Sequence, residues 1–175
     1  MFKLKRNFRV LPLALALVVI GGAAAVAQRQ MSHGASSQGR PEVKIALAGV
    51  VQRGGQTLAL DKVQSVNPGE ILQWNITSLN EGDGAAHEYK AVGHIPAGTA
   101  FVAGSAVAEG GSNVTYSIDG GKTYSTQPII EEKQPDGTVK RVAAPVAMYT
   151  EVRYEWTDEL AAGGKLNASY KVRVK

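Results

Sequence analysis

The sequence predicts an all-β domain built as a sandwich of two packed sheets, and three observations carry that prediction. Short runs of alternating apolar and polar residues recur from Pro41 to the end of the chain. Clusters of Gly, Pro, Asn and Asp punctuate these runs, and no stretch sustains a helical period. Asp119-Gly120 and Asp136-Gly137 stand between runs as tight-hairpin signals.

The last run is the clearest. Leu166, Ala168, Tyr170, Val172 and Val174 alternate with Asn167, Ser169, Lys171, Arg173 and Lys175. A period of two sends the apolar set to one face and the polar set to the other. The Lys/Arg side reads as a solvated face that discourages edge pairing. Val152, Tyr154 and Trp156 alternate with Glu151, Arg153 and Glu155 in the same way, and Leu72, Trp74 and Ile76 with Gln73, Asn75 and Thr77. Both tryptophans are therefore expected in the core. Weaker strands are expected at 43–51, 57–66, 88–95, 101–106, 114–118, 123–131 and 138–142. About ten strands in all suit two packed sheets. Gly54-Gly55, Pro68-Gly69, Pro96-Ala97-Gly98, Gly110-Gly111 and Gly163-Gly164 supply further turns.

Ahead of this domain lies a different kind of sequence. Lys3, Lys5, Arg6 and Arg9 precede an apolar run from Val10 to Ile20, and small residues lead to Ala25-Val26-Ala27. These are the parts of a secretory signal peptide at residues 1–27, with cleavage expected after Ala27. The alternative is an uncleaved segment acting as a membrane anchor, the one route by which this chain is expected to touch a membrane. Residues 28–42 are expected to be a flexible spacer, because they are rich in Gln, Ser and Gly and carry only Met31 as a large apolar side chain. The sandwich is expected to occupy residues 43–175.

Export rewrites the charge argument. Four of the 19 Lys and Arg residues and none of the 15 Asp and Glu residues precede Gln28, so the remainder balances at 15 against 15. The basic surplus belongs to the leader, and nucleic acid is not an expected partner. The chain has no cysteine, which excludes disulfides, thiolate metal sites and thiol catalysis. An exported domain without disulfides must be held by packing. The 148 residues after Ala27 are enough for one core that buries about two-thirds of the unfolded surface.

One stretch carries a family likeness. Asn67-Pro68-Gly69-Glu70 precedes the strand of Leu72, Trp74 and Ile76. After Asn80-Glu81-Gly82-Asp83 comes His94-Ile95-Pro96-Ala97-Gly98-Thr99-Ala100-Phe101-Val102-Ala103-Gly104-Ser105. This resembles the DUF11 conserved repeat domain of prokaryotic surface proteins over roughly residues 58–175. The resemblance implies an immunoglobulin-like sandwich in an exported structural or adhesive protein. DUF11 domains commonly come in tandem, whereas this chain has one copy and no terminal apolar anchor. A small secreted or periplasmic subunit is the expectation.

Four constellations bear on chemistry. Ser117-Ile118-Asp119-Gly120-Gly121-Lys122-Thr123-Tyr124 matches the Asp-box of sialidase propellers. A propeller needs several four-stranded blades, so a single box reads as a structural hairpin. His87-Glu88 and His94 invite comparison with zinc motifs, but a spacing of seven in a strand sends the two rings to opposite faces. The Asn80–Asp83 loop offers oxygen ligands for calcium, although it lacks EF-hand spacing and has only two carboxylates. Asn75, Asn113 and Asn167 head glycosylation sequons and read as outward polar positions.

No catalytic, cofactor-binding or metal-binding residue is therefore assigned, and neither an enzyme nor a cofactor is expected. The expected function is an exported structural or adhesion module, secreted, periplasmic or at the cell surface. It would act by contact with envelope or matrix proteins, itself included, with strand addition by residues 43–51 as one route. The alternative, motivated by the Asp-box, is a carbohydrate-binding or glycan-active accessory module.

Overall fold

The computed structural model describes residues 39–175, so the expected leader and residues 28–38 of the expected spacer lie outside the described residues. The strands in chain order are β1 (Val43–Arg53), β2 (Gln56–Ala59), β3 (Ile71–Asn80), β4 (Lys90–His94), β5 (Thr99–Phe101) and β6 (Val107–Ala108). They continue as β7 (Ser112–Ser117), β8 (Ile129–Lys133), β9 (Val139–Ala143), β10 (Glu151–Trp156) and β11 (Lys165–Val174). The large sheet runs β2-β1-β3-β11-β5, with β6 also on β11. The small sheet runs β4-β10-β7, and β8 with β9 forms a separate two-stranded ribbon. All pairings are antiparallel. The chain is the all-β sandwich that the alternation predicts.

The two sheets meet over one core. Leu72, Ile76, Tyr170 and Val172 of the large sheet face Ala91, Val152, Tyr154 and Trp156 of the small one, and all are buried. Two tyrosines latch the sheets reciprocally. The Tyr154 hydroxyl, from the small sheet, donates to the Ser169 carbonyl 2.7 Å away, and the Tyr170 hydroxyl, from the large sheet, donates to the His94 carbonyl. Each thus delivers a large apolar body to the core while its polar tip is satisfied. Gly93 is what lets Tyr170 in, because a Cβ there would stand 2.3 Å from the ring. Gly93→Ala is expected to cost about 1–3 kcal/mol, read as a lowered urea midpoint.

Several expected strands are shorter than the alternation suggests. The run 57–66 leaves the sheet at Ala59, turns through a 3₁₀ segment at Leu60–Lys62, and packs Leu60 and Val63 against the core. The run 101–106 stays on β11 only through Phe101 and the Val102 N–H, which donates to the Lys171 carbonyl, before the chain turns at Gly104 with φ of 71°. From 123 to 128 there is only an isolated bridge between Ser125 and Tyr116, because Asp119 holds Thr123 in the preceding loop. The turns follow their chemistry. Gly54 and Gly55 have φ of 56° and 79° and join β1 to β2, and Gly69, with φ of 86°, closes the Pro68 turn.

Trp156 is buried, and its indole N–H donates to the Glu109 carbonyl at 2.7 Å. Trp74 is half-buried and packs against the core at its margin, so of the two tryptophans expected in the core only Trp156 lies wholly within it. Its place in β3 explains the difference. Trp74 sits opposite Gly49 of β1, where the large sheet extends past the three strands of the small one.

The spacer boundary also moves. Gly39–Glu42, expected to be flexible, is tied to the segment Asn80–Gly84. The Arg40 N–H donates to Asp83 Oδ1 at 2.6 Å, the Glu81 N–H to the Glu42 carbonyl at 2.8 Å, and the Glu42 N–H to Asn80 Oδ1 at 3.0 Å. Backbones approach so closely that a Cβ on Gly82 would lie 2.1 Å from the Arg40 carbonyl oxygen. The glycines of this loop make room for the incoming chain.

Candidate functional site

Three regions hold the residues singled out by the sequence. The first is the Asn80–Asp83 loop. Asn80 is fully buried at the end of β3, and its Nδ2 donates to the carbonyls of Gly84, Leu160 and Ala161 at 2.7, 3.0 and 3.2 Å. Its Oδ1 accepts from the N–H groups of Glu42 and Gly82. Asp83 accepts from Arg40, and Glu81 pairs with Lys44. The oxygens that suggested calcium are thus engaged by the chain's own donors, and the loop works as a clasp on the start of β1.

The second region is the Asp-box at the end of β7. Asp119 accepts from the Ser117 hydroxyl at 2.7 Å, from the Thr123 N–H at 3.0 Å and from the Thr123 hydroxyl at 2.7 Å. The Gly121 N–H donates to Ser117 Oγ. The hydrogen bonds from Thr123, above all its N–H, and from Ser117 hold the Asp119 carboxyl down at about 2. A carboxyl lowered in the fold adds stability above its ordinary range near 4, and that stability is lost as pH falls toward 2. Asp119→Asn is therefore expected to flatten the acid side of a stability-versus-pH curve and to lower stability at neutral pH. Glu70 adds to the same acid-side loss in both proteins, since Arg53 and the Asn67 N–H hold it at about 2.

Beside the box lies a polar cluster that sequence reasoning missed. Glu151 alternates as an outward residue of β10, yet it is only 8% exposed. The box loop folds over it. The Tyr124 hydroxyl donates to Glu151 Oε2, His94 Nδ1 lies 3.0 Å from Oε1, and Arg153 stacks on the Tyr124 ring with its guanidinium carbon 3.8 Å from the centroid. Burial, and then the bond to Glu151, pushes the Tyr124 hydroxyl up to about 12. This arrangement ties the loop to the sheet. The polar residue types were visible in the sequence, but nothing in their spacing shows a loop closing over them. His87 is elsewhere, exposed and 3.4 Å from Glu159. The described residues hold no group of three or more His, Asp or Glu able to share a metal ion.

The third region is the edge of β1. Val43, Ile45, Leu47, Gly49 and Val51 lie on the inner face, in register with Asn80, Ser78, Ile76, Trp74 and Leu72 of β3. Val51 is buried, yet Ile45 and Leu47 are 58% and 56% exposed. No element among the described residues covers them, because the small sheet stops short. Their backbone is equally open. The ladder with β3 uses the even-numbered residues, as the bond from Glu81 N–H to the Glu42 carbonyl fixes. The odd-numbered residues point to the other side, where β2 covers only Val50–Arg53. From Val43 to Ala48 the edge pairs with no strand among the described residues, while Leu60, just past β2, lies opposite Gly49.

The ribbon and β4 edges are blunted by charge. Each ribbon strand carries charges, with Glu131 opposite Arg141 and Glu132 opposite Lys140. The short β4 begins with Lys90, paired with Glu155. Along Val43–Gly49 the only charge is Lys44, at one end and engaged by Glu81. Natural edges are guarded by charge, proline or bulges, and this one is not. No family model, curated protein or solved structure matches the chain.

Proposed function

We propose that the chain is an exported, non-catalytic structural or adhesion module of the cell envelope, and that β1 is its contact strand. The observation that carries this reading is the coincidence, on one strand, of an unpaired backbone edge with uncovered Ile45 and Leu47. Strand addition needs both elements, main-chain groups for affinity and alternate side chains for specificity. The leader and the DUF11 resemblance support the envelope setting.

The Asp-box does not favour the carbohydrate reading, because its side chains are spent on one another and on the turn. No Phe, Tyr or Trp side chain among the described residues is fully exposed, so a sugar-stacking platform finds no support there. In the test, a protein of residues 28–175 is added to envelope fractions of the producing cell. Retention is expected, with Leu47→Lys washing off although it melts at the wild-type temperature. Wild-type protein that fails to bind, or a variant retained equally, overturns the reading.

A further inference from the structure

We infer that the strand received at the β1 edge is the N-terminal arm of a second copy, residues 28–33, laid antiparallel with Gln28 opposite Ala48. The inference rests on the contact-strand reading above and names its partner. Three features of the edge and of the arm point to this guest.

The first is that the run is closed at one end. It is open from Val43 to Ala48, and Leu60 stands beside Gly49, its Cδ1 2.5 Å from where a Cβ on that glycine would lie. A strand built into a folded copy runs on past its last paired residue, into the space that Leu60 and Ala59 fill. The guest must therefore end at Ala48, which calls for a free chain end. An antiparallel guest presents its N-terminus there. Cleavage after Ala27, as the leader predicts, creates such an end at Gln28.

The second is register. The odd-numbered residues of β1 carry the free N–H and C=O groups. With Gln28 at the closed end, Val43, Ile45 and Leu47 exchange bonds with His33, Met31 and Arg29. A guest shifted by two residues either leaves Leu47 unpaired or drives Gln28 into the place of Ala59, opposite Val50. In this register the alternation of the arm fits the edge. Arg29, Met31 and His33 fall on the inner face, where Met31 and the stem of Arg29 cover Ile45 and Leu47. Gln28, Gln30 and Ser32 fall on the outer face, opposite Ala48, Ala46 and Lys44. No like charges are opposed, as a stable pairing requires.

The third is where the arm leaves its own domain. Gly39 is packed against the backbone of Asp83 and Gly84, which flank the incoming chain on its β3 side. The arm thus departs away from its own open edge, which favours exchange between copies over folding back. Residues 34–38 are the tether, and from His33 to Gly39 the chain reaches about 20 Å. Donor arm and acceptor edge are different surfaces, so the contact is heterologous. Ordering the arm costs freedom, so association is expected to be weak and to rise with concentration.

The absence of cysteine makes a direct test available on the 28–175 protein, whose sandwich has its own core. Gln30 and Ala46 form a non-hydrogen-bonded pair in this register, with Cα atoms about 4.5 Å apart, within disulfide reach. Mixed Gln30→Cys and Ala46→Cys proteins are expected to cross-link about tenfold faster than Gln30→Cys with Ala48→Cys, a diagonal pair about 7–8 Å apart. In sedimentation, Met31→Asp is expected to weaken association roughly tenfold. Two residues added ahead of Gln28 should weaken it as much, because they need the space of Leu60. Two residues inserted in the tether, between Ser36 and Ser37, should leave it unchanged. All three changes lie outside the sandwich and spare its folding. A monomer at every concentration, equal cross-linking at positions 46 and 48, or association indifferent to the added N-terminal residues overturns the inference. If the protein is monomeric yet Leu47→Lys still strips it from envelope fractions, arm exchange falls and the contact-strand reading stands. If retention is also unchanged, both fall.

Discussion

Asn80→Ala is expected to destabilise the domain by on the order of 3–5 kcal/mol, as much as truncating a buried core aromatic. The amide contacts five backbone groups in a fully buried position, and for three of them, the Gly84 carbonyl and the Glu42 and Gly82 N–H groups, it is the partner, while the Leu160 and Ala161 carbonyls also accept from Ala86 and Gly164. Each buried group left without a partner costs about 1–3 kcal/mol, partly recovered where relaxation admits water. With a urea slope near 2 kcal/mol per molar, the midpoint should fall by about 2 M. Asn80→Asp keeps the size and Oδ1, yet it sets an acceptor against three carbonyl oxygens, so it should be as damaging. Glu81→Ala, next in sequence but exposed, should stay within about 0.5 kcal/mol of wild type. A small effect at Asn80 would mean that the clasp contributes little to stability.

The second large effect is expected in alkali. Burial pushes Tyr170 up to about 12 and raises Tyr154 further, since both rings sit between the sheets. A tyrosine raised in the fold contributes fully below its unfolded value near 10 and loses that contribution as pH rises through the folded value. Stability should therefore fall steeply between pH 10 and 12, with Tyr170 alone withdrawing on the order of 2–3 kcal/mol. Tyrosinate absorbance should appear together with unfolding, in one cooperative step. Tyr170→Phe loses a hydrogen bond worth about 1 kcal/mol and should postpone the alkaline transition. Gradual titration of all tyrosines in a folded protein would contradict the packing described.

Much of this fold is legible in the alternation. In β10 and β11 a strand has one buried face, so apolar periodicity and observed burial largely coincide along both strands. The Asp-box is equally legible, because its contacts lie within a few residues of one another. Long-range polar contacts are not. Asn80 reads as a loop residue until the carbonyls of Leu160 and Ala161, some eighty positions away, are brought beside it. Glu151 reads as solvated until Tyr124 closes over it. The contact strand is half legible. Val43, Ile45 and Leu47 alternate as a core-facing set should, but the sequence does not say how far the opposite sheet extends. Their exposure follows from the count of strands in the small sheet, which is a property of topology.

The central claim is that the outer edge of β1 is open and is filled by another strand. Amide hydrogen exchange at Ile45 and Leu47 tests it most directly. In dilute protein both amides should exchange as unprotected groups, while Ala46 and Ala48, bonded to β3, exchange slowly. As concentration rises, or on binding to envelope fractions, Ile45 and Leu47 should become protected and the even-numbered amides should hardly change. Amides at Ile45 and Leu47 that are protected in the dilute monomer, or that stay unprotected in the bound state, would contradict it.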